Sequence, residues 1–106
     1  MTGDLIGRRW KGLAAALLAA VVVSGCATGR SIRAGNAASD SGDLDQAVAH
    51  YRAAVEASPN NPQAKIALER ALLAASRAHL DRARQYEAQE QLDAARSEYQ
   101  LASEYD

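Results

Sequence analysis

A single cysteine, two prolines and few β-branched residues set the first limits on this chain. One cysteine cannot form an intrachain disulfide, so no covalent staple holds the fold. From Ile32 to Tyr105 no stretch alternates apolar and polar residues with period two, which argues against strands. A net charge of −1 leaves no basic excess to neutralise phosphates, so nucleic acid is not an expected partner. The charge-free apolar run from Leu13 to Val23 is about half the ~20 residues that a membrane-crossing helix needs. Glycine-rich phosphate loops are missing. His50 and His79 stand alone, without the spacing of a second metal ligand, and read as solvated helix residues. The carboxylates are scattered, and several pair with a nearby arginine, as Asp81 does with Arg84. Neither catalysis nor a metal or cofactor is expected.

What the chain does hold begins at its amino terminus. Arg8, Arg9 and Lys11 precede the apolar run, and small residues follow it. That order describes a secretory signal peptide, with Arg8-Arg9-Trp10 read as an ordinary basic start. Val23-Ser24-Gly25-Cys26 resembles a bacterial lipobox, in which a small residue precedes an invariant cysteine. The resemblance implies a diacylglyceryl group on the Cys26 thiol, cleavage before it, and acylation of the new amino terminus. The competing readings are an uncleaved anchor, strained by its length, and a buried structural cysteine. The expected division is therefore a signal peptide over 1–25, a lipidated cysteine with a short polar tether over 26–31, and a folded part over 32–106. The mature part, with about 81 residues, carries a net charge near −3. A domain that small gains only modest stability from its core. With no basic cluster, attachment to the membrane rests on the acyl chains, at about 0.8 kcal/mol per buried CH₂.

Alanine dominates the folded part, interleaved with Leu, Glu, Gln and Arg, all strong helix formers. Ser39-Asp40-Ser41-Gly42-Asp43 reads as a loop with Asp43 as N-cap. Ser58-Pro59-Asn60-Asn61-Pro62 ends one helix and opens another, with Asn61 as N-cap and Pro62 in the first turn. From Pro62 a helix is expected to about Gln89, roughly 42 Å at 1.5 Å per residue. Glu90-Gln91-Leu92-Asp93 is a weaker break.

The segment from Gly42 to Ala54 lines up with the segment from Glu90 to Ala102. Leu, Asp, Ala, Tyr and Ala coincide at a constant offset of about 48 residues. Gly35, Ala47, Tyr51, Ala54 and Pro59 resemble the small-large-small pattern and closing proline of the tetratricopeptide repeat. Ala83, Tyr86, Ala95, Tyr99 and Ala102 occupy the matching places in a second unit. The excess over the family's period of about 34 is about 14 residues, close to four helical turns, which keeps the packing face in register. The expected fold is all-α, two antiparallel helix hairpins, the second with an extended first helix. Ile66, Leu73 and Leu80 recur every seven residues on that helix, which calls for a cover: the first unit, a second copy of the chain, or further sequence. The last helix, with Leu92, Ala95, Tyr99, Leu101, Ala102 and Tyr105, raises the same expectation of a continuation or a capping partner.

The repeat resemblance implies a groove lined by the first helices of the units, holding protein partners. Asn36 matches an asparagine that grips a peptide carboxylate in some chaperone-binding members, although Ile32 stands where a basic residue is expected. Arg77, Leu80 and Arg84 are the groove candidates of the second unit. Ala27 after the cysteine resembles the sorting pattern for the outer membrane, which places the chain on its periplasmic side. The run Lys65-Ile66-Ala67-Leu68-Glu69-Arg70-Ala71 and the segments Ala78 to Arg84 and Glu98 to Asp106 resemble the amino-terminal region of certain secretins. That likeness implies partners in secretion or pilus assembly. A free-standing pilotin or barrel-assembly lipoprotein is the alternative, and a regulator of a cell-wall hydrolase is the third.

Overall fold

The computed structural model describes residues 12, 13, 17 and 25–106. Helix α1 includes residues 25–40. It is followed by α2 (Leu44–Ala57), α3 (Pro62–Ala88) and α4 (Leu92–Glu104). The expected signal peptide falls almost wholly outside the described residues. Among the described residues no helix is long and apolar enough to cross a membrane.

The helix boundaries follow from the capping residues. Asp43 accepts from the Gln46 N–H at 3.1 Å and opens α2. Asn61 accepts from the Gln63 and Ala64 N–H groups at 3.0 and 3.2 Å, and Pro62 takes the first turn of α3. Each contact satisfies a donor that the first helical turn leaves unpaired. No proline or glycine interrupts α3, which runs for 27 residues.

The two turns between paired helices are copies of one another. Gly42 has φ +83° and Glu90 has φ +60°. The Gly42 N–H donates to Ser39 O and the Asp43 N–H to Ala38 O, at 3.0 and 2.9 Å. The Glu90 N–H donates to Glu87 O and the Gln91 N–H to Tyr86 O, at the same two distances. These are left-handed helix stops that satisfy the last carbonyls. The repeat register read from sequence is thus repeated in backbone geometry.

Packing is carried by small residues. Ala47 and Ala54 on α2 and Ala64 and Ala75 on α3 have no exposed surface, and Val48 is buried among them. Close approach of alanine-lined helices leaves little room, and Tyr51 fills it from α2 toward α1. The front half of α3 packs on the first hairpin through Ala64, Ala71 and Ala75. The rear half packs on α4, where Ala83, Ala95 and Ala102 are buried. One long helix therefore belongs to both hairpins, and the first unit covers part of its overhang.

The polar tether expected at 27–31 is instead helical. Thr28 is buried, and its hydroxyl lies 2.6 Å from the Ser58 hydroxyl just past α2. That polar pair lets α1 begin packing at once, without a flexible lead. Cys26 is exposed on the same helix, which removes the reading of a buried structural cysteine.

Candidate functional site

Helices α1 and α3 flank two adjoining clefts that share Asn36, Ala67 and Arg70. The larger, of about 510 Å³, is also lined by Ile32, Gln63 and Ile66. The smaller, of about 300 Å³, reaches inward to Tyr51. Asn36 is held from below: the Tyr51 hydroxyl donates to its Oδ1 at 2.5 Å. Burial, and then the charge of Asp40, raise the Tyr51 pKa, so this hydroxyl keeps its proton and remains a donor. With Oδ1 engaged, the Asn36 amide nitrogen offers its hydrogens to the cleft. Arg70 adds a guanidinium from the α3 wall. The arrangement presents donors beside aliphatic side chains, a surface for carbonyl or carboxylate groups on an apolar backing.

Asn36 lines both clefts between α1 and α3. The other three candidates are placed differently. Leu80 is half-buried and lines a small pocket with Ser76, Tyr99 and Ala102, facing α4. Arg77 and Arg84 lie exposed farther along α3, Arg84 within 3.8 Å of Asp81. Only the front turns of α3 lie beside α1, so these three continue along the helix past the cleft. Arg70, on the opposite wall, brings to the cleft a cation that Ile32 does not.

His79 was expected on the surface, but it is 3% exposed. It sits where α3 passes between α2 and α4. Its Nδ1 lies 2.5 Å from the Glu98 carboxylate and its Nε2 2.9 Å from that of Asp45. The ring also stacks on Tyr105, with centroids 5.7 Å apart, and the Arg52 guanidinium lies over the Tyr105 ring, 5.9 Å from its centroid. Two carboxylates can accept only if both ring nitrogens donate, which requires the imidazolium. Burial disfavours that charge, but the bonds to Glu98 and Asp45 outweigh it and raise the His79 pKa. Burial likewise works against the Asp45 carboxylate, while His79 and Tyr105 bring its pKa below the ordinary value. With both nitrogens occupied, His79 is a clamp between helices. His50, by contrast, is half-exposed on α2. Among the described residues no group of three or more histidine, cysteine or acidic side chains is arranged to hold a metal.

The first hairpin now carries a name. Residues 32–61 match the family model of the tetratricopeptide repeat. No curated protein and no solved structure matches the chain. The match spans the second half of α1, all of α2 and the turn to Asn61, and the turn of the second hairpin repeats that of the first. The fold is an all-α pair of tetratricopeptide-like hairpins. Repeats of this kind are protein-interaction units, and their stacked helices are the usual means of presenting an extended binding face.

Proposed function

We propose that this chain is a lipid-anchored scaffold that binds protein at the periplasmic face of an outer membrane. The observation that carries the binding role is the α1–α3 cleft, where Asn36 and Arg70 offer donors above Ile32 and Ile66. A segment rich in carbonyl or carboxylate groups with one or two aliphatic side chains fits that chemistry. The anchoring role rests on Val23-Ser24-Gly25-Cys26, with the Cys26 side chain exposed and ready for modification. Because α1 is helical from residue 25, the acylated end would join the repeat domain without a slack linker. The cleft would then be held close to the membrane. The likeness to secretin amino-terminal regions favours a secretion or pilus assembly as the setting.

Two measurements in cells test this reading. A fatty-acid probe should label the wild type and not Cys26→Ser, and equal labelling of both would remove the anchor. A photo-crosslinking residue at Gln63, on the wall of the cleft, should give discrete adducts with an envelope protein. Adducts that are absent, or unchanged by Asn36→Ala with Arg70→Ala, would remove the cleft as the binding face.

A further inference from the structure

Along its length α3 carries a row of side chains that α1 flanks at Ile66 and Arg70, that α4 flanks at Leu80, and that is otherwise open among the described residues. Ile66, Arg70, Leu73, Arg77, Leu80 and Arg84 follow one another in steps of four and three, so they run along one side of the helix. The buried alanines 64, 71, 75 and 83 lie on the other side. Ile66 and Leu73 are 48% and 53% exposed, and the three arginines are exposed as well. Leu80 closes the row where it leans toward α4.

Isolated aliphatic side chains on a surface are ordinary. Here the spacing and the intervening charge make a pattern. Aliphatic residues every seven positions, with arginines between them, form a seam by which one helix can receive another. From Ile66 to Arg84 the row extends about 27 Å, enough for four or five turns of a second helix. Its charge is largely uncompensated. Arg84 reaches Asp81 only at 3.8 Å, and both are exposed. Arg70 and Arg77 have no carboxylate within ion-pair distance among the described residues.

We propose that this face of α3 docks an amphipathic helix of another protein, one with aliphatic residues at seven-residue spacing and aspartate or glutamate between them. Charge selects this occupant over the alternatives. A second copy packed antiparallel about Arg77 would set arginine against arginine along the whole seam, which disfavours self-association there. The chain's own amino-terminal segment, with Arg8, Arg9 and Lys11, is repelled for the same reason. An anionic bilayer would suit the arginines, but three aliphatic side chains flanked by Glu69 and Asp81 are a thin face for insertion. The inference rests on the protein-binding reading above and extends it from the cleft along the rest of α3.

Selection from a displayed peptide library tests it, using the full chain in detergent micelles. The library consists of helices of about three heptads with leucine fixed at seven-residue spacing and the neighbouring interface positions varied. Selected helices should be enriched in Asp and Glu at those positions. Their affinity should fall at least tenfold with Arg77→Glu and with Leu73→Ser. Both sites are exposed, and unchanged circular dichroism would show that the variants remain folded. Neutral or basic helices, no selected helix, or binding indifferent to Arg77 would overturn the proposal. So would loss of binding to phosphatidylglycerol vesicles in Arg77→Glu with no acidic helix selected, since the face would then be lipid-directed. Crosslinks from Gln63 that persist while the selection fails would leave the cleft reading standing and remove only this one.

Discussion

The Tyr51 ring lies against Gly35 so closely that a Cβ at position 35 would sit 2.5 Å from the ring edge. No side chain fits between α1 and α2 at that point. The ring cannot retreat freely either, because its hydroxyl is bound to Asn36 and its other face lies in the core. Gly35→Ala should therefore destabilise the protein by about 1–3 kcal/mol, the usual range for overpacking a tight core. Ala37→Gly, on the exposed side of the same helix, controls for helix propensity and should cost about 1 kcal/mol or less. Thermal melts compare the two; a neutral Gly35→Ala would mean that the hairpin is not held by this contact.

Much of this packing was legible in the sequence, for a physical reason. Ala47, Tyr51, Ala54 and Gly35 act through size, and size is written in the residue type. Asp43, Asn61 and Pro62 act locally, so their capping roles also follow from the chain itself. The settings of His79 and Arg70 are not legible in the sequence, because they depend on neighbours distant along the chain. Asp45, 34 residues before His79, and Glu98, 19 after it, meet it only once three helices are packed. Arg70 meets Asn36 only because the extended α3 lays its front turns beside α1. The equivalence of Tyr51 and Tyr99 was legible, but their difference in burial was not. Tyr51 is covered by the next hairpin, whereas Tyr99 is 37% exposed and bonds to Glu87 on the surface.

Glu90 pays a backbone penalty that its counterpart Gly42 avoids. Both occupy the left-handed region, where a residue with a Cβ is strained by roughly 1 kcal/mol or more. The Glu90 side chain is exposed, so little is lost by removing it. Glu90→Gly should stabilise the protein by up to about 1 kcal/mol, less whatever the freer glycine costs in the unfolded chain. Gly42→Ala should destabilise by a similar amount. Urea midpoints give the sign of each change. Equal effects of the two substitutions, in either direction, would show that the two turns are not the same structure.

The His79 clamp makes stability depend on pH from both sides. The His79 pKa is raised in the folded chain, so its contribution is complete below the unfolded value of about 6.5 and is lost as pH rises through the folded value. The Asp45 pKa is lowered, so its contribution is present above about 3.9 and is lost as pH falls through the folded value. Between these limits an imidazolium bridges two carboxylates and draws α2, α3 and α4 together. Asp45 is half-exposed, which limits its share of that attraction. Melting temperature measured across pH should fall as pH rises above about 6.5 and His79 loses its proton. His79→Gln keeps one donor for a carboxylate but removes the charge. It should flatten that alkaline fall and lower stability near pH 6 by about 1 kcal/mol or more, the scale of a lost charge-assisted hydrogen bond. Parallel pH profiles for wild type and His79→Gln would show that the ring is neutral in the folded chain, and that one of the two carboxylates holds the shared proton.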